Sequence, residues 1–174
     1  MLSAPMLPAS GVLDGATHLF PVRVYYEDTD AGGIVYHANY LHFAERARSE
    51  CLRLLGWPFE RLRAETGRAW VVRRAQIDFR LAAKLDDALI VETTVGQMTR
   101  AAIELRQIVR RAATILVELR LQLVLVTSAG QLSRIPPMLL DAFKPIFEAA
   151  ASVFDTPPVP PVPEVPEPGG LSSR

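Results

Sequence analysis

The sequence predicts an α+β fold in which an antiparallel sheet curls around one long helix. Three features of the 174-residue chain carry that prediction. A strand-like stretch with apolar residues at every second position comes first. A run with apolar residues at three- and four-residue steps follows it. About four consecutive period-two stretches then complete the pattern, the longest with a dry and a polar face. A lone amphipathic helix must bury its stripe against something, and a one-sided sheet supplies the surface.

The elements follow in chain order. Residues 1–18 are rich in Pro, Ala and Gly and are expected to be unstructured. In FPVRVYYED, Phe20, Val22, Val24 and Tyr26 alternate with Arg23, Tyr25 and Glu27, the pattern of a strand. In ANYLHFAERARSECLRLLG, Tyr40, Phe43, Ala44, Ala47, Cys51 and Leu54 make one helix face. Arg46 and Glu50 stand one turn apart on the other side and are expected to pair. Gly56 suits the stop of this helix and Pro58 follows it. FERLRAET reads as a second, short helix ending at Gly67.

The remainder is strand after strand. Ala75, Ile77, Phe79 and Leu81 alternate with Gln76, Asp78 and Arg80, and ALIVETTVGQM and AAIELRQIVR follow. The long TILVELRLQLVLVT sets Ile115, Val117, Leu119, Leu121, Leu123 and Leu125 against Glu118, Arg120 and Gln122. SAGQ is a hairpin turn, and PMLLDAFKPIF is a short helix or an irregular segment because of Pro145. One domain, residues 19–150, is thus expected between the unstructured segment 1–18 and a Pro-rich tail, 151–174.

Composition narrows the function classes. Lys plus Arg and Asp plus Glu total 19 each, which argues against a broad basic face for nucleic acid. Cys51 is the one cysteine, so neither an intramolecular disulfide nor a thiolate metal cluster can form. His18, His37 and His42 lack the HExxH spacing, and neither a phosphate loop, nor GxGxxG, nor a GxSxG elbow is present. No metal and no cofactor is expected. The start of the chain lacks a signal-peptide pattern, and no run reaches the roughly 18 apolar residues of a membrane span. A cytoplasmic protein is expected, with a peripheral place on the membrane left open.

Polar chemistry gathers in EDTDAGGIVYHANYLHF, where strand turns into helix. The start of a helix exposes unpaired N–H groups and the positive end of its dipole. Such donors can hold an oxygen on which negative charge develops, and an acidic side chain stands just across a glycine turn. That combination suits attack on a carbonyl. Each residue also has a plain structural role: Asp28 or Asp30 as a turn cap, His37 as a surface residue, Asn39 as an N-cap and Glu45 on a solvated face.

VYYEDTDAGGIVYHANYLHFAERARSECL closely resembles the acyl-CoA thioesterases of the 4-hydroxybenzoyl-CoA thioesterase family, and more narrowly their Tol-Pal-associated bacterial subfamily. Their signature is met by Asp28, Asp30, Gly33, Ile34, Val35, Tyr36, His37 and Tyr40, and WVVRRAQIDF and LDDALIVET also match in kind and order. In one departure, Ala82 precedes Ala83 and Lys84 where the family has Pro, and a slightly altered strand edge is expected. The resemblance implies a hotdog fold, a dimer with active sites at its interface, often paired into a tetramer, and acyl-CoA as substrate. It implies Asp30 as nucleophile or general base, the backbone N–H at His37 as carbonyl donor, and the His37 side chain as a second catalytic group. Gly33, Tyr36, Asn39 and Glu45 would shape the site, and Arg73, Arg74, Lys84 and Arg100 would line the path of coenzyme A. The acyl chain would lie in an apolar slot along the helix. A hydratase of the same fold is a rival, but the Asp30-to-His37 signature does not resemble the hydratase pattern of a His with a separate acidic partner on the central helix. The resemblance also leaves room for a non-catalytic acyl-CoA or acyl-carrier-protein binding module, and for a scaffold for phospholipid-synthesis enzymes at the inner membrane.

Overall fold

The computed structural model describes residues 9–147. The Pro-rich tail and the far end of the expected domain lie outside the described residues. The chain runs β1 (Val12–Asp14), β2 (Thr17–Arg23), a 3₁₀ turn (Tyr26–Asp28), α1 (Asn39–Leu54), α2 (Phe59–Thr66) and β3 (Arg68–Phe79). It continues with β4 (Ala88–Met98), β5 (Ile103–Arg111), β6 (Thr114–Thr127), β7 (Leu132–Ser133) and α3 (Pro137–Phe147). The sheet order is β1-β2-β4-β5-β6-β3, antiparallel throughout, with β7 also on β6. This is the hotdog arrangement expected from the resemblance.

Period two in sequence becomes shared rows in the sheet. Val22 faces Leu89, Val91 faces Val109, and Leu105 faces Leu121 across the ladders. Against this face α1 buries Tyr40, Phe43, Ala44, Ala47 and Cys51, which are 0–3% exposed. Burial of such side chains, each about 1.5–3 kcal/mol for the larger ones, is the main term holding helix to sheet. Gly56 turns with φ +79° just past the helix, as the sequence predicts. α2 ends at Gly67, whose φ is +64°.

Several expectations are corrected. The segment read as unstructured to residue 18 carries β1 and the start of β2, with Leu13 facing His18 in the ladder. The first strand stops at Arg23, and Tyr26 is 83% exposed. There the Asp28 carboxylate accepts the Tyr25 N–H at 2.8 Å, a local bond that diverts the chain from the ladder. Leu54 stays 42% exposed at the end of α1. Glu50 pairs with Arg53 at 3.3 Å rather than with Arg46, which lies over the Phe43 ring. PMLLDAFKPIF is helical through Pro145, because Leu139, Phe143 and Ile146 all bury one face against the core.

The dry face expected on Ala75, Ile77, Phe79 and Leu81 is not closed. Phe79 and Leu81 are 49% and 54% exposed, and Leu81 lies beyond the strand. β3 is the last strand of the sheet, so its outer edge has no neighbour among the described residues.

Candidate active site

The site grows from one folded loop between β2 and α1. Asp28 is buried, and its carbonyl accepts both the Tyr36 N–H at 2.9 Å and the Asn39 side-chain amide at 3.0 Å. The start of α1 is thereby tied to the 3₁₀ turn. A second tie is the bridge between Thr29 and Val35. Between these two residues the chain reverses: Asp30 N–H donates to Ile34 O at 2.9 Å and Gly33 N–H to Asp30 O at 3.0 Å. Gly33 has φ +73°, a conformation costly for a side-chain-bearing residue. At Gly32 an added Cβ would lie 3.0 Å from Asp30 Oδ1, so a side chain there would displace the carboxylate slightly.

Asp30 is exposed, and its Oδ1 accepts the Gly32 N–H at 2.8 Å. Both aspartates therefore have turn roles, but Asp28 is enclosed while Asp30 keeps an accessible carboxylate. His37 is exposed, with its ring 4.4 Å from that of Tyr36 and 6.3 Å from that of Phe79. Its backbone N–H, just ahead of α1, finds no acceptor among the described residues.

A groove of about 250 Å³ opens beside His37, lined by Ile34, Val35, Tyr40, Phe79, Arg80, Leu81 and Ala82. Asp30 adjoins this groove through the loop but is not among its lining residues. The Tyr40 hydroxyl is locked by the Ala83 N–H at 2.8 Å, and Val35 N–H donates to Ala83 O at 2.9 Å. Burial pushes the Tyr40 phenol above its ordinary pKa, against the Ala83 bond that lowers it. It stays a neutral anchor at neutral pH.

The other candidates scatter. Glu45 bonds to the guanidinium of Arg48, which is 7% exposed and also donates to Gln107 at 2.7 Å. Lys84 is exposed next to Ala83, and its N–H is held by Asp87 at 2.8 Å. Arg73 is exposed on the β3 edge. Arg74 lines a different groove on the sheet with Gln76, Glu104, Arg120 and Gln122. Arg100 sits in the β4–β5 turn beside Arg68 and Arg134. The basic residues named from the sequence therefore do not form one path on a single chain.

The expected slot along the helix is nearly filled. The cavity between α1 and the sheet, lined by Cys51, Leu52, Trp70, Val95, Leu105 and Phe143 among others, holds about 20 Å³, the space of one water. An acyl chain does not fit there. Sequence reasoning missed Arg80, which lines the His37 groove and bonds Asp78 at 2.9 Å and Glu118 at 2.7 Å. It also missed Arg48, although Arg48 stands four residues after Ala44 and three before Cys51, inside the apolar stripe.

Comparison with known proteins bears on this site. The thioesterase superfamily profile matches residues 32–118, a stretch that Asp30 just precedes. Over 88 residues the chain is 58% identical to the acyl-CoA thioesterase YbgC of Haemophilus influenzae, a match spanning 51% of this chain and 65% of that protein. Over 127 residues it is 41% identical to the acyl-CoA thioester hydrolase YbgC of Escherichia coli O157:H7, covering 72% of this chain and 94% of the relative. The crystal structure of a probable thioesterase from Bartonella henselae superposes with a TM-score of 0.67 at 34% identity, covering 69% of this chain and 99% of that one.

Proposed function

The chain belongs to the thioesterase superfamily, and from that premise we propose that it hydrolyses the thioester of an acyl-CoA to the free acid and CoA. One observation carries the reading: a single loop sets the accessible Asp30 carboxylate on one side and the acceptor-free N–H of His37 on the other, beside an apolar groove. The His37 N–H, backed by the dipole of α1, would take the carbonyl oxygen as it gains charge. Asp30 would either add to the carbonyl carbon, releasing the CoA thiolate and leaving an anhydride for water to open, or remove a proton from the attacking water. Thioesters are activated acyl groups, so this route needs only these residues.

The acyl portion would lie against Ile34, Val35, Phe79 and Leu81, with Tyr36 and the His37 ring flanking it. Gly33 shapes the turn and Asn39 fixes the helix start, so both act through position. Glu45 acts further back, by holding Arg48. Of the basic residues named from the sequence, Lys84 is the one next to the loop, since its neighbour Ala83 accepts the Val35 N–H, and it would meet a phosphate of the substrate. The open edge of β3, with Val71 and Val72 42% and 40% exposed, fits a second copy that covers Asp30. Sedimentation at micromolar concentration should then give the mass of two or four chains. None of the helices described is long and apolar enough to cross a membrane. We place the reaction in the cytoplasm, with acyl carrier protein and phospholipid-synthesis enzymes as partners that a pull-down would test.

Asp30→Asn decides the central point. Free-thiol release from acyl-CoAs ranging from acetyl to palmitoyl and aromatic should fall about 10²–10⁴-fold while acyl-CoA binding survives. Undiminished turnover would refute the assignment. The Asp30–Gly32 bond and the position of Asp30 outside the groove lining favour a second reading, a binding module without turnover. Absence of thiol release from the parent protein, with acyl-CoA still bound, would establish it.

A further inference from the structure

One residue, Ala83, holds the chain on both sides of His37. Its carbonyl accepts the N–H of Val35, just before His37, at 2.9 Å. Its N–H donates to the hydroxyl of Tyr40, just after His37, at 2.8 Å. Ala83, Val35 and Tyr40 are all buried. Between the two ties, the Tyr36 N–H goes to Asp28 O at 2.9 Å and the Asn39 N–H to Tyr36 O at 2.8 Å. The His37 N–H is left without an acceptor among the described residues.

Ala83 is itself held from behind. The Lys84 N–H donates to Asp87 Oδ2 at 2.8 Å, and the same oxygen accepts from Arg111, the last residue of β5, at 2.7 Å. The Asp86 N–H donates to Val24 O at 3.1 Å and the Val24 N–H to Asp87 O at 3.0 Å, which ties this turn to the chain just beyond β2. The Tyr40 hydroxyl thus meets a fixed point. Its ring alone would satisfy the packing, since it stands 6.0 Å from the rings of both Phe43 and Phe79. Apolar contact has no direction and lets a helix shift along a sheet, whereas a hydrogen bond sets a distance and an angle.

We propose that the Tyr40 hydroxyl is a positioning group: through Ala83 it aims the His37 N–H at the carbonyl oxygen of the substrate. The inference rests on the thioesterase reading given above. A donor aimed where charge develops is worth about 10²–10³ in rate, and a misplacement of about 1 Å can cost on the order of 10². Without the hydroxyl, the buried Ala83 N–H loses its acceptor and α1 loses its tie to the turn after β3. The Asn39 side-chain amide still holds the helix start to Asp28 O at 3.0 Å, so the loss of aim is partial.

Tyr40→Phe on the full chain keeps the ring that lines the groove and removes only the tie. At a temperature where the variant is folded, kcat for butyryl-CoA should fall about 10–100-fold with KM unchanged. Leu52→Ala, a buried truncation at the far end of α1, should lower the unfolding midpoint at least as far and leave kcat as it is. Infrared spectra give a second readout. Butyryl-CoA bound to Asp30→Asn should show a thioester carbonyl stretch below that of the free compound, and adding Tyr40→Phe should return most of that shift. An unchanged kcat, a change in KM alone, an equal loss of kcat in Leu52→Ala, or a carbonyl stretch that does not respond overturns the proposal. If Tyr40→Phe does not fold, Asp87→Ala loosens Ala83 from behind; kcat should then fall about threefold or more, and no fall counts against the tie. The carbonyl stretch needs no turnover. A parent that releases no thiol therefore sinks the hydrolysis reading, while a stretch that still responds to Tyr40→Phe keeps the positioning role.

Discussion

Two aspartates two positions apart do different work because one is enclosed and the other is not. Asp28, 4% exposed, holds the Tyr25 N–H with its side chain, and its carbonyl holds the start of α1. Replacing it with Ala removes the side-chain acceptor of a part-buried N–H, at a cost of about 1–3 kcal/mol. Denaturant unfolding of Asp28→Ala should show that loss, whereas Asp30→Asn should unfold at nearly the midpoint of the parent. The resemblance singled out Asp30 for chemistry, but local spacing alone left both residues as equal candidates for a turn cap. Burial separates them, and burial is set by residues distant in the chain.

At the scale of elements, α1 carries a polar core inside its apolar stripe. Gln107 is fully buried on β5 and accepts from Arg48, while its amide donates to Ala44 O at 3.0 Å and to the Thr93 hydroxyl at 2.9 Å. Burial lowers the pKa of Arg48, and Glu45 opposes that shift. Gln107→Leu would strip an acceptor from a buried cation and leave Thr93 without its donor. A loss of about 1–3 kcal/mol or more is expected in the unfolding free energy. The periodicity of α1 was legible, as were α2 to its last residue and the long β6, since each repeats one spacing over many residues. What was not legible was either too short to show a period or dependent on partners far along the chain. β1 is three residues long and pairs only through its hairpin with β2. Arg48 is held in place by Gln107, 59 residues further along the chain, so local spacing gave no sign of its role. In the candidate site, the glycine turn and the helix start could be read from local spacing. Phe79 and Arg80 could not, because they join the groove through the β3–β6 pairing.

For the whole molecule, two buried ionisable groups set how stability responds to acid. His18 is fully buried, and burial holds its imidazole below the ordinary pKa despite the Ser10 carbonyl and Glu50. The unfolded chain takes up that proton near pH 6.5, so the stabilisation is complete above that pH and declines as pH falls below it. Burial alone would raise the Glu118 carboxyl, but Arg106, Arg80 and Arg120 outweigh it and hold the group low. Its contribution is present above about pH 4.3 and is lost as pH drops through the lowered value. Urea unfolding from pH 8 to 3 should show two successive declines, and His18→Gln should erase the upper one. A flat profile in the parent between pH 7 and 5 would contradict this account. Finally, the lone thiol of Cys51 lies 3% exposed beneath α1, and burial pushes it up to about 12. Alkylating reagents can reach it only when the helix lifts from the strands. The native protein thus contains a built-in clock, and the rate of iodoacetamide labelling counts how often its centre opens.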